Sequence, residues 1–266
     1  MCFVGNAIGF SRWGVYGAFF LCAAAFLSCD DGADGSDGTE DFVGVAKEHA
    51  DAVGDIIFAD GSAFAYSGDL VLSDAQKARA VAVVFYADGE DGPLGARTLA
   101  VGLRHDKSGR AWCDPSAKAF SWNLPGVVCT GERMEDGSYT FSGDTDGADN
   151  LRQLGLGDTY IDWRYPAFYF AVNYRDEFSR VKDTAYESGW YLPTVAELYE
   201  LWRNRDVVEA ALSAAGGDTF GPDNYWSSSV DGVDGSCATR LLFAYGRPDS
   251  SCKKHYERCV CAIREF

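Results

Sequence analysis

The chain has 266 residues, 47% of them hydrophobic and 14% aromatic, which is apolar material for one large core and excludes disorder throughout. A formal charge of −17 repels phosphate and no basic run offsets it, so nucleic acid is excluded as a partner. Only His49, His105 and His255 represent histidine, and no G-x-S-x-G, P-loop or G-x-G-x-x-G occurs, so serine-hydrolase chemistry and nucleotide cofactors lack supporting sequence.

Arg12 is the only charged side chain before Cys29, and the uncharged run "WGVYGAFFLCAAAFLS" is too short to span a bilayer comfortably. Residues 1–28 therefore read as an export signal. The stretch "FLSC" resembles the lipobox of bacterial lipoproteins in a relaxed form, with Phe26 and Leu27 where leucine and a small residue are usual. That resemblance implies cleavage before Cys29, lipidation of Cys29, and a protein held on the outer membrane at the cell surface. A periplasm-facing lipoprotein, a non-lipidated signal and an N-terminal membrane anchor are the alternatives, all outside the cytoplasm. Residues 29–49 include "DDGADGSDGTED", which has no large apolar side chain to offset the entropy of ordering and reads as an acidic tether.

The folded domain is expected over residues 50–266. "DIIFADGSAFAY" predicts a hairpin turning at Asp60-Gly61, and "AVAVVFYADG" and "ARTLAVGLRH" predict two further strands. The stretch from Ala111 to Phe141 reads as irregular and encloses Cys113 and Cys129, either as a disulfide staple or as two buried thiols. "DNLRQLG" predicts a short helix capped by Asp149 and stopped by Gly155, and the aromatic run "YIDWRYPAFYFAVNY" reads as core. In "LPTVAELYELW", Thr194 and Glu197 form a capping box, and Val195, Leu198, Leu201 and Trp202 share a helical face. Asp206 and Glu209 predict a second helix started the same way and ended by Gly216-Gly217. "NYWSSS", "CATRLLFAYG" and "RCVCAIREF" return to strand. Trp190, Leu198, Trp226 and Phe243 are expected in the core.

Two clusters invite metal readings. Asp144, Asp146 and Asp149 lie in a glycine-containing loop, but their spacing is not that of an EF-hand, and a solvated turn before a helix accounts for them better. Cys252, His255, Cys259 and Cys261 are zinc-ligand types whose spacing matches no common zinc module. No cofactor or metal is expected.

"SGWYLPTVAELYELW", then "YWSSS", then F-x-x-G at Phe243 and Gly246, then Val260, Ala262, Ile263 and Arg264, occur in order. This series resembles the domain at the C-terminus of a Legionella collagen-like adhesin, in the formylglycine-generating-enzyme-like branch of the C-type lectin fold. With the ending "AIREF" it is most similar to the variable proteins of spirochete diversity-generating retroelements. The resemblance implies an α+β, C-type-lectin-like fold of short twisted antiparallel sheets with two or three helices and long loops. It also implies a variable region at 226–263, diversified by error-prone copying of a template repeat. Neither the paired-cysteine motif of formylglycine-generating enzymes nor a Glu-Pro-Asn or Gln-Pro-Asp triplet occurs, so catalysis and calcium-dependent sugar binding do not carry over. The expected function is binding of a macromolecular ligand; a formylglycine-generating-like oxidoreductase or other metal-dependent enzyme is the alternative. In "CATRLLFAYG", Ala238, Leu241 and Phe243 are expected to pack while Thr239, Arg240, Leu242 and Tyr245 project outward. The candidate ligand-binding residues are Asp231, Ser236, Cys237, Thr239, Arg240, Leu242, Tyr245, Arg247, Asp249, Ser251 and His255.

Overall fold

The computed structural model describes residues 50–154 and 163–266. The signal, Cys29, the tether and Gly155 lie outside the described residues.

The chain enters through strands β1 (Ile56–Phe58) and β2 (Ala63–Phe64), paired Ile56 to Phe64 and Ile57 to Ala63. Gly61 takes the left-handed φ of +92° that the turn requires, and Asp60 accepts hydrogen bonds from the N–H and hydroxyl of Ser62. Helix α1 (Asp74–Arg79) starts on a capping box of Ser73 and Gln76. Strand β3 (Ala80–Asp88) is buried from Ala80 to Tyr86 without alternation, because both its faces are covered. Strand β4 (Arg97–Ala111) pairs antiparallel with it.

The segment read as irregular contains a second, two-stranded sheet: β5 (Cys129–Arg133) and β6 (Tyr139–Gly143). After Cys129, β5 is polar and carries no apolar alternation, while in β6 Tyr139 and Phe141 alternate with Thr140 and Ser142 over too short a run to stand out beside the turn. Helix α2 (Gly147–Gln153) is capped by Asp146, which accepts from the Ala148 N–H, and not by Asp149. Asp149 lies inside the first turn and bonds Arg152 and Gln153. Helices α3 (Pro166–Val172) and α4 (Tyr174–Glu177) bury Phe168, Phe170 and Tyr174, as expected of an aromatic core, although Trp163 stays exposed.

Helix α5 (Val195–Arg203) has the Thr194–Glu197 capping box, and all residues from Val195 to Leu201 are buried. Helix α6 (Arg205–Ala214) begins at Asn204 without a side-chain cap, so Asp206 sits in the first turn and does not start the helix. Its end is a Schellman motif: Gly216 donates to Ser213 and Gly217 to Leu212. Strands β7 (Asn224–Trp226), β8 (Cys237–Leu242), β9 (Arg247–Lys253) and β10 (Glu257–Glu265) complete the chain.

The strands join in the order β2-β1-β3-β4-β10-β7-β8-β9, antiparallel except for β7 beside β10. The C-terminal strand is thus interior and shares a sheet with the first hairpin, from which β3 and β4 separate it. Helix α3 packs on β4 and β10, α6 on β3, and α5 against β3, β5 and β8. The architecture is mixed α+β with a sheet core.

Candidate functional site

The C-terminal residues divide between core and surface in a way that period two does not describe. Ser227, Ser228 and Ser229 are all fully buried and form a hydrogen-bonded hub. The Ser227 hydroxyl donates to the Thr239 carbonyl (2.7 Å), Asn150 donates to the Ser228 hydroxyl (2.7 Å), and the Val195 N–H donates to the Ser229 hydroxyl (3.0 Å). Thr239 is drawn inside by this hub and is 1% exposed, with its hydroxyl 3.2 Å from that of Ser250. A register shift in β8 between Ala238 and Arg240 breaks the alternation that would have turned Thr239 outward. Cys237 and Leu242 are likewise buried, at 4% and 9%. These three are corrections to the expected binding surface. Ala238, Leu241 and Phe243 pack as expected.

Of the remaining candidates, Arg247, Asp249 and Ser251 lie on the edge strand β9, Arg240 on its neighbour β8, and Asp231, Ser236, Tyr245 and His255 in the loops and turns around them. Arg240 is half-buried and holds Asp249 through two hydrogen bonds, 2.7 and 3.0 Å long. Burial, which would raise the Asp249 pKa, is outweighed by the Ser251 hydroxyl and Arg240, which hold it below the usual carboxylate range. Ser236 and Ser251 are committed to turns, each donating N–H and hydroxyl to an aspartate two residues earlier, Asp234 and Asp249. Lys253 donates to Asp234 (2.8 Å) and is the main cause of that carboxyl lying far below its usual range. Asp231 is half-buried and accepts from the Val233 N–H. Tyr245, Arg247, Ser251 and His255 are exposed.

Lys254, next in the chain, is fully buried. Its ammonium donates to the carbonyls of Ala119 (2.6 Å) and Gly235 (2.7 Å) and lies 4.9 Å from the centre of the Trp112 ring. This cation is a pin between the β9–β10 turn and the loop around residue 119. The tail cysteines are core as well: Cys252, Cys259 and Cys261 are buried, and burial pushes the Cys259 thiol up to about 11. Cys113 and Cys129 are two free, buried thiols, both pushed up to about 12 by burial. Burial raises the thiols of Cys252 and Cys261 as well, so none of Cys113, Cys129, Cys252, Cys259 and Cys261 is poised as a thiolate. Among the described residues no three histidine, cysteine or carboxylate side chains gather as a metal site.

What reaches solvent is a strip with an aromatic group at each end of β9, a strand of roughly 20 Å. At the β8–β9 turn stands Tyr245, 74% exposed. At the β9–β10 turn stand His255 and Tyr256, 4.7 Å apart, with Phe120 beside His255 at 5.8 Å and exposed Trp122 on the same loop. Tyr256 and Trp122 were not among the candidates. Tyr256 follows the fully buried Lys254 by two positions, and Trp122 comes from the segment read as irregular, so neither carried a local signal of exposure.

No family model matches the chain, and no curated protein matches it. Among solved structures it is similar to a fimbrial protein from Bacteroides ovatus, at 16% identity and a TM-score of 0.53. The match covers 81% of this chain and 49% of that one, so this chain spans about half the length of that neighbour. At that identity the likeness speaks to the fold.

Proposed function

We propose that this chain is a surface-displayed, lipid-anchored binding protein whose C-type-lectin-like domain holds a macromolecular ligand along the β9 strip. The observation that carries this reading is the strip itself. Aromatic side chains stand exposed at both ends of an edge strand, between turns held by half-buried Trp202 at one end and buried Lys254 at the other. Aromatic anchors on a rigid frame lose little entropy on binding and dominate interface energetics. A length of roughly 20 Å suits a macromolecular partner better than a metabolite.

The C-type-lectin assignment and the likeness to diversity-generating variable proteins rest on the ordered motifs from Gly189 to Arg264. Their fixed members have structural duties: Gly189, at φ +88°, lies under the Arg264 guanidinium, and Tyr191 exchanges backbone hydrogen bonds with Ile263. In this reading diversification falls on the exposed positions and spares Ser227–Ser229, Thr239 and Lys254. The fimbrial neighbour is compatible with display at a surface.

The test is a binding screen against host surface proteins with the whole chain and a variant carrying Trp122→Ala, Tyr245→Ala, His255→Ala and Tyr256→Ala. Loss of the partner with an unchanged melt is expected; retention of the partner by the variant would refute the strip. Mass spectrometry of the native protein should show acylated Cys29 as its first residue.

A further inference from the structure

A concavity of about 560 Å³ opens between the β5–β6 hairpin and the β8–β9 turn, lined by Arg133, Gly137, Tyr139, Tyr245 and Arg247. Two features set it apart from the rest of this acidic surface. The first is its pair of arginines. Arg97, Arg104, Arg110 and Arg240 are each committed to carboxylates. Arg133 and Arg247 are exposed, and neither meets a carboxylate, a carbonyl or a ring among the described residues. Two free guanidinium groups lining one concavity leave it a local positive charge that an anion would neutralise.

The second feature is that both walls are fastened to one helix. The Tyr139 N–H donates to the Tyr199 hydroxyl (3.0 Å), and the Tyr199 ring meets those of Tyr139 and Phe141 at 5.8 and 5.3 Å. Trp202 stacks on Tyr199 at 5.7 Å and donates to the Phe243 carbonyl (2.8 Å). Its ring lies so close under Gly246 that a Cβ there would sit 2.4 Å away. Helix α5 therefore sets the positions of Arg133 and Tyr139 on one side and Tyr245 and Arg247 on the other before any ligand arrives.

We propose that this concavity binds an acidic sugar unit, a single ring carrying one carboxylate or sulfate group, with Arg133 and Arg247 donating to the oxyanion and Tyr139 and Tyr245 against the ring. Guanidinium forks match carboxylate and sulfate oxygens in geometry and charge. Tyrosines supply an apolar face and a hydroxyl to a ligand that has both C–H and O–H edges. The volume belongs to the small-ligand class. The formal charge of −17 repels a polyanion at long range, which favours an isolated negative group on an otherwise neutral ligand.

This deepens the strip reading and rests on it for Tyr245 and Arg247, whereas Arg133 and Tyr139 come from outside the C-terminal segment. The test is titration of the purified whole chain, by calorimetry or NMR, with glucuronate, N-acetylneuraminate, glucose 6-sulfate, glucose and a short acidic peptide. Binding of at least one acidic sugar, no binding of glucose, and a loss of about tenfold or more in Arg133→Ala and Arg247→Ala are expected, with unchanged melts. The carboxylated and sulfated arms identify which oxyanion the site takes. Equal binding of glucose and glucuronate, insensitivity to Arg133→Ala, or binding of the acidic peptide alone would each overturn the proposal. Failure of every sugar, with a macromolecular partner still lost in the strip variant, would remove the sugar site and leave the proposed function standing. Acidic sugars held through Arg133, with no partner lost in the strip variant, would do the reverse.

Discussion

Lys254 shows how far one residue can depart from what its neighbourhood suggests. It lies between half-exposed Lys253 and exposed His255, yet it has no solvent contact and satisfies the buried carbonyl of Ala119 and the half-buried one of Gly235. Lys254→Met should lower stability by about 2–4 kcal/mol, because a buried acceptor left without its donor costs about 1–3 kcal/mol. Lys253→Met should leave the urea midpoint where it is, since that ammonium pairs with Asp234 in solvent. Equal midpoints for the two variants would show that Lys254 is no anchor.

Two buried titratable groups pull stability in opposite directions with pH. Neither ring nitrogen of His105 has a hydrogen-bond partner among the described residues, and burial holds its pKa down to about 3 from an ordinary 6.5. Its neutral form is thus required by the fold, and stability is lost as pH falls below 6.5. Glu197 is pushed the other way, up to about 7 from 4.5, by burial that Arg97 and the Thr194 N–H only partly offset. Its contribution is complete below 4.5 and is lost as pH rises through 7. Each slope amounts to about 1.4 kcal/mol per pH unit at most, and between pH 4.5 and 6.5 they cancel. His105→Leu should therefore lose stability as pH rises across that window, and Glu197→Gln should gain it. Urea melts at several pH values check both signs, and flat profiles in both variants would contradict them.

Among the elements, α5 and β10 hold the others in place. Gly246 occupies a left-handed turn at φ +59° directly over the Trp202 ring, so Gly246→Ala faces both backbone strain and a clash. A loss of about 1–3 kcal/mol is expected, with the β8–β9 turn displaced from α5. Chemical-shift changes reaching Tyr139 through Tyr199 would register that displacement, and changes confined to the turn would argue against the shared support. Strand β10 bonds β4 along most of its length and touches β7, so removal of residues 260–266 should abolish the cooperative melt. A truncated chain that still melted sharply would mean that the sheet order described here does not hold the fold together.

At the scale of the molecule, core and strip should respond separately. Trp190, Leu198, Trp226 and Phe243 are all buried, and truncation of each to alanine should cost about 2–5 kcal/mol. Joint replacement of Tyr245, Arg247, Ser251 and His255 should move stability by no more than about 0.5 kcal/mol per position. Comparable losses in the two sets would make the strip part of the core and end the binding proposal.

The features legible without coordinates are those that a few neighbouring residues settle among themselves. The Asp60-Gly61 hairpin, the Thr194–Glu197 capping box, the Gly216-Gly217 helix end and the long apolar strand at Ala80 depend on turn chemistry, local hydrogen bonds and unbroken hydrophobicity. The Ser73–Gln76 capping box that starts α1 is equally local. The rest needed the third dimension, because burial of a polar side chain depends on what lies over it and not on its own neighbours. Lys254 is inside because the distant loop around residue 119 supplies its acceptor, Thr239 because a register shift turns it toward the buried serines, and β10 is an interior strand because β4 and β7 flank it. Arg133 and Arg247 share a concavity because Tyr199 and Trp202, one helical turn apart on α5, each hold one of its walls.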